Sequence, residues 1–421
     1  MFGNNNDVGE TGLAGLISRF ALVRRVQANL TDLGERLTAL ALLVLVALLA
    51  GLALGHNTDR LEQLPGLLLM VPAAIALRGN IFGAMGSRLG TAIHAGTFRL
   101  SLHPSSAVGE NVLASLVLTV LTSIALAVLA KGAAIVFGVA DSIKLGDFVM
   151  ISVVGGLLSS AAVLVTALGI TAGSVRVGWD PDNVTAPLVT AVGDVATVPA
   201  LVLASTFVTS QVSVLVVSVI SCLALPACFL YVFTLGRTGL RTIVRESTPV
   251  LLIGILLDLV AGVTVERQLG SFARFPALLV MLPAFLALAG ALGGTLSSRL
   301  SSQLHLGTIV ASRLPEGRAR SDIATSLLLA IPVFFACGAL AHAFARVSDL
   351  ASPGVGWLVA TAMLGGMAAT VLASLVAYYS TIASVRIGLD PDTYGIPLVT
   401  STLDLLGAFT LILAVAILGF T

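Results

Sequence analysis

Eleven apolar runs follow one another between residues 36 and 420, each broken from the next by Gly, Pro or charged residues. A helix of about 20 apolar residues matches the hydrocarbon thickness of a bilayer. It also satisfies its own backbone hydrogen bonds where no water can. The runs cover residues 36–55, 63–90, 109–139, 147–177, 184–209, 212–235, 248–266, 274–301, 322–345, 354–385 and 394–420. Several are too long for a perpendicular crossing and are expected to tilt or to extend beyond the lipid. Only 10% of the 421 residues are charged and 57% are hydrophobic, whereas soluble domains carry roughly 25% charged residues. The predicted class is an all-α integral membrane protein with about 11 transmembrane helices. More spans follow the first run, so it does not read as a cleaved signal.

Composition also narrows the partners. A formal net charge of +1 gives no basis for binding nucleic acid, while the lipid bilayer is required. Cys222, Cys228 and Cys337 stand singly in apolar runs, and the five histidines form no ligand pair. That argues against a zinc or copper site, which wants clustered thiolates or imidazoles.

Lys and Arg set the orientation. With the N-terminus inside, fifteen of them fall in inner segments and only Arg60, Lys144, Arg267, Arg274 and Arg346 in outer ones. The expectation is a plasma-membrane protein with its N-terminus in the cytosol and, after an odd number of spans, its C-terminus outside. Residues 1–35 are read as a cytosolic segment. Within it, Leu13 to Leu30 mixes apolar residues with Arg19, Arg24 and Arg25, which suits a helix lying at the inner interface; a topogenic tail is the alternative.

The chain repeats itself. Ser174 to Asp194 and Ser384 to Asp404 agree at twelve of twenty-one positions, 210 residues apart. Pro65, Pro72, Gly79, Ser87, Arg88, Leu89, His94 and Gly96 recur 211 residues later as Pro276, Pro283, Gly290, Ser298, Arg299, Leu300, His305 and Gly307. Shared apolar composition does not place Asp, Pro, Arg and His in register, so the unit is duplicated. Residues 36–209 and 248–421 are read as two five-helix repeats, with a linking span and cytosolic loop at 210–247. Five is odd, so direct fusion would invert the second copy. The extra span restores a parallel arrangement about a pseudo-twofold along the membrane normal. One chain is then a pseudo-dimer with its pathway on the axis; a further homodimer of whole chains stays open.

Asp194 and Asp404 lie at equivalent positions about eleven residues into their spans, near the bilayer midplane. A carboxylate there costs about 2.5–3.5 kcal/mol on insertion scales and calls for a partner or a water-filled path. Pro187, Thr190 and Asp194 fall at i, i+3 and i+7 on one helical stripe, as do Pro397, Thr400 and Asp404. Two carboxylates with threonine hydroxyls suit a hard divalent cation: Mg2+, which keeps several waters and takes one or two carboxylates, or Ca2+, which uses similar ligands. Asp180 and Asp182, and Asp390 and Asp392, flank Pro181 and Pro391 before these helices. They read either as an inner cation vestibule or as helix caps. Gly79-Asn80, Gly290 and Gly293-Gly294 read either as a break that opens backbone carbonyls to the path or as close helix packing. His94 and His305 are expected to pack at the cytosolic helix ends.

Two buried charges occur only once. Arg78 has Ala289 as its repeat partner, and Asp258 has Ala47. Three readings stand: a salt bridge between the halves, a third acidic ligand or coupling-ion site at Asp258, or an Arg78 that snorkels beside a locally bonded Asp258.

At these residues the chain resembles the MgtE family of magnesium transporters, in its two-unit, solute-carrier family 41 type. The resemblance rests on LPGLLLMVPAAIALRGNIFGAMGSRLGTAIHAG, FPALLVMLPAFLALAGALGGTLSSRLSSQLHLG, DPDNVTAPLVTAVGD and DPDTYGIPLVTSTLD. It implies a five-helix unit, a pore on the twofold, and a hydrated Mg2+ held by the last-helix aspartate, here Asp194 and Asp404. It also implies transport rather than enzymatic activity, with Na+ as counter-ion if the mechanism is exchange rather than a channel. MgtE proper carries cytosolic magnesium sensors for which residues 1–35 leave no room, so that regulation is expected to be absent. The rivals are a proton- or sodium-coupled carrier of another solute and an intramembrane aspartyl protease. The protease needs two unlike aspartate helices, whereas here both sit in PLVT contexts.

Overall fold

The computed structural model describes residues 34, 36–94, 96, 98, 100–101, 103, 106–139, 141–177, 181–235, 238–310, 312–387 and 396–419. At 94, 171–172, 174–177, 181–188, 190–191, 235, 305, 385, 387 and 396–398 it describes the backbone alone. The chain divides after Leu42. The described part of the first unit is Gly34 and the opening turns of the first helix; everything below concerns the second unit.

The first repeat holds α1 (Arg36–His56), a six-residue α2 (Thr58–Gln63), α3 (Leu67–His94), α4 (Ala107–Val136), α5 (Leu145–Val177) and α6 (Pro181–Thr206). A 3-10 turn leads into α7 (Gln211–Leu230), and a π turn follows it. Next come α8 (Thr238–Glu266), α9 (Leu269–Arg274), α10 (Ala277–His305), α11 (Gly317–Val347), α12 (Val355–Ile387) and α13 (Ile396–Ile417). Among the described residues there is no strand, and eleven helices, all but α2 and α9, are long and apolar enough to cross a membrane.

The two repeats pack alike. In each, the second helix lies against the fifth and the third against the fourth: α3 with α6 and α4 with α5, then α10 with α13 and α11 with α12. Polar pairs repeat as well. Arg88 Nε donates to Asn111 Oδ1 at 2.6 Å, and 211 residues later Arg299 pairs with Asp322 at 3.4 Å. The short helices α2 and α9, also 211 residues apart, touch each other, as equivalent elements beside a twofold axis do.

The first helix of each repeat is exchanged. Helix α8 packs on α3 and α4 of the first repeat as well as on α13 of its own. A Cβ on Gly262 of α8 would overlap the Leu69 carbonyl of α3, and one on Gly51 of α1 would overlap the Val280 carbonyl of α10. Small residues allow this approach of backbone to backbone in lipid, where dispersion replaces the hydrophobic effect as the packing force. The linker α7 leans on α4 and α5 with Ser221 as its one buried residue, a surface suited to lipid.

Two glutamates tie α8 to the first repeat. Glu110 of α4 accepts the Leu240 backbone N–H at 2.8 Å near the start of α8. At its other end the buried Glu266 accepts Gly66 N–H at 2.7 Å and Leu69 N–H at 3.0 Å, donors at the N-terminus of α3. Glu266→Ala would leave these buried donors unpaired at about 1–3 kcal/mol each. A clear fall in thermal stability in detergent is expected, with a smaller one for Glu266→Gln, which keeps one acceptor.

The structure departs from the sequence reading at three places. Helix α8 begins at Thr238 rather than 248, because 238–247 forms a charged, amphipathic first stretch of that helix instead of a loop. Residues 58–63 and 269–274 form helices of their own, each burying one apolar side chain, Leu61 and Phe272. Helices α3 and α10 run unbroken through Gly79-Asn80 and Gly290–Gly294, so no carbonyls open there. Gly293 serves close packing instead, since a Cβ there would overlap the Leu403 side chain.

Candidate cation pathway

Asp194 on α6 and Asp404 on α13 belong to different repeats, yet their carboxylates lie within Coulombic reach of each other. Asp194 is buried, while Asp404 keeps part of its surface open. Its Oδ1 sits beside Gly290, where a Cβ would stand 3.8 Å away. In the first repeat a Cβ on Gly193, the residue before Asp194, would stand 3.4 Å from the Arg78 Cβ and 3.7 Å from the Arg78 carbonyl carbon and the Gly79 nitrogen. The glycines of α10 and α6 thus let the aspartate helices come close to the helices that flank them.

Thr190 and Thr400 each lie one helical turn before an aspartate. Thr400, one turn before Asp404, is half-buried, and its Cγ2 would stand 3.6 Å from a Cβ on Gly294. Thr190, Pro187 and Pro397 are helical, with only their backbones described. Asn80 is half-buried on α3. Asp182 opens α6 with its side chain outside the described atoms, and Asp180, Asp390 and Asp392 lie outside the described residues.

Asp258 on α8 joins the second half. It is 1% exposed, accepts Ser401 Oγ at 3.4 Å through Oδ2, and lies within Coulombic reach of Asp404. Its Oδ1 has no hydrogen-bond partner among the described residues. Among the described residues no three His, Cys, Asp or Glu side chains stand together as a closed metal cluster.

The bridge between Asp258 and Arg78 is not formed. Arg78 is 1% exposed and turns its guanidinium into its own repeat. There Nη1 donates to Ser160 Oγ at 2.7 Å and to Thr119 Oγ1 and the Gly156 carbonyl, both at 3.3 Å, and Nη2 donates to Ser123 Oγ at 3.1 Å. Nor does it reach out to a surface, because these hydroxyls of α4 and α5 hold it inside the protein. Sequence reading missed this cage. Its signal was the pairing of Thr119 and Ser123 with Ser160 at helical spacing on consecutive spans.

Comparison with known proteins agrees with this architecture. The MgtE family profile, described as a divalent cation transporter, matches residues 71–204 and again 282–414. Solute carrier family 41 member 3 of Rattus norvegicus is 23% identical over 377 residues, covering 82% of this chain and 78% of the relative. Solute carrier family 41 member 2 of Xenopus laevis is 24% identical over 437 residues, covering 93% and 74%. The Homo sapiens member 2 is 24% identical over 375 residues, with 82% of this chain matching 63% of the relative. No solved structure matches the chain. With the profile matched twice, once in each helical repeat, the chain belongs to the MgtE family of divalent cation transporters, a family of membrane transporters and not of enzymes.

Proposed function

We propose that the chain carries Mg2+ across the plasma membrane along the pseudo-twofold, with its N-terminus cytosolic and its C-terminus outside. The carrying observation is that Asp194 and Asp404, one from each repeat, lie within Coulombic reach of each other. A carboxylate from each half, with Thr190 and Thr400 as neutral oxygens, is a donor set that leaves room for several retained waters. Mg2+, which dehydrates reluctantly, is suited to such a site. In this reading Pro187 and Pro397 shape the start of each aspartate helix, Asn80 lines the path beside them, and Asp180, Asp182, Asp390 and Asp392 draw cations to its inner mouth. One chain contains both halves, so the pathway needs no second copy.

A channel and an exchanger are separable by voltage. A divalent ion crossing the full field gains about 4.6 kcal/mol per 100 mV. In liposomes, indicator-detected Mg2+ entry is expected to rise steeply as the interior is made negative. Exchange against Na+ is the second reading, favoured by Asp258, which gives the second half a carboxylate beside Asp404 that the first half lacks. Entry that ignores voltage and demands opposing Na+ would select it. Absence of any divalent flux would sink both.

A further inference from the structure

Among the described residues the buried charge of Arg78 is held without a counter-charge. Its partners are three hydroxyls and one carbonyl, all neutral, and its Nε has none among the described residues. A cation at this depth is expensive unless its environment is built for it. The cage is so built: a Cβ on Gly156 would stand 3.2 Å from Nη2 and overlap Ser123 Oγ.

The second repeat fills the same place differently. The positions equivalent to Arg78, Ser123 and Gly156 are Ala289, Phe334 and Gly366. There a Cβ on Gly366 would overlap the Phe334 ring, which stacks on Phe285 with centroids 5.2 Å apart. An aromatic ring over the glycine thus closes in one half what a guanidinium and a serine close in the other. Packing therefore does not require the charge, and its consequence is electrostatic.

The residue that carries the charge lies beside an aspartate helix. The backbone of Arg78 abuts Gly193, the residue before Asp194. The guanidinium points away toward α4 and α5, so it does not neutralise the Asp194 carboxylate. In a low-dielectric interior a unit charge is still felt across several ångströms. When ionised, Asp194, Asp404 and Asp258 against Arg78 sum to −3 + 1 = −2, which one divalent cation balances. Without Arg78 the same ion would leave a negative charge over and be held harder.

We propose that Arg78 is a fixed internal counter-charge that weakens the hold of the central acidic site on a divalent cation, so that the ion is released rather than trapped. The proposal rests on the reading of Asp194 and Asp404 as that site. It is tested by Mg2+ titration calorimetry on the full chain in nanodiscs, paired with liposome flux. Arg78→Gln keeps hydrogen bonds to the cage without charge. The double variant Arg78→Ala/Ser123→Phe transplants the packing of the second repeat, and carries the measurement if the glutamine variant does not fold. Both are expected to bind Mg2+ on the order of tenfold tighter and to reach a lower maximum flux, while Arg78→Lys stays close to wild-type affinity. A merely structural role would weaken binding, so the sign is diagnostic. Unchanged or weaker affinity in the charge-free variants overturns the proposal alone. A wild-type chain that binds no divalent cation overturns it together with the site.

Discussion

Asp194→Asn and Asp404→Asn are each expected to lower divalent-cation flux by about a hundredfold or more, in a protein that still folds. Removing one partner of a buried charge pair typically costs about 3–5 kcal/mol, and here the partner is the ion itself. The two carboxylates lie within reach of each other and would serve one ion between them. Their effects should therefore not add, and the double variant should be little worse than either single one. Asp→Glu at either position keeps the charge and should fall between. Liposome flux with a Mg2+ indicator, normalised to protein that elutes as a single peak, is the measurement. Wild-type flux in either single asparagine variant would refute the shared site.

The second large effect concerns stability. Gly262→Ala on α8 and Gly51→Ala on α1 each place a methyl group on the carbonyl of a helix in the opposite repeat, Leu69 and Val280 respectively. Neither atom is the end of a flexible side chain, so the backbones must separate. Overpacking of this kind costs typically about 1–3 kcal/mol and sometimes more. Gly132→Ala on α4, where nothing lies within 4 Å of the added methyl, should be neutral or gain about 1 kcal/mol in helix propensity. Thermal unfolding followed by size exclusion should rank Gly262→Ala and Gly51→Ala below wild type and Gly132→Ala at or above it. Equal midpoints for all three would mean that the exchanged helices do not hold the repeats together.

Much of the architecture was legible along the chain because it is written in one dimension. A bilayer demands long apolar runs, so the eleven spans show in hydropathy alone, and the duplication shows as Asp, Pro and Arg recurring in register. That Asp194 and Asp404 occupy matching places in the two repeats followed from the same recurrence. The segments misread were those where hydropathy says least. Residues 238–247 are charged yet helical because they extend an amphipathic helix toward Glu110. Residues 58–63 and 269–274 are too short to carry a periodic pattern.

Which helices become neighbours was decided only in three dimensions. In lipid nearly every face of a span is apolar, so periodicity does not mark the buried side. The exchange of α1 and α8 depends on glycines meeting carbonyls some two hundred residues away. The orientation of the two singular charges was equally hidden. Depth alone allowed Arg78 to meet Asp258, but the hydroxyls of Thr119, Ser123 and Ser160 offered the guanidinium nearer partners in its own repeat, and Ser401 engaged Asp258. Sequence established what must lie in the membrane and how often the unit occurs; close packing between distant helices settled which polar groups face each other, because hydrogen bonds and Coulomb forces act over ångströms of space and not along the chain.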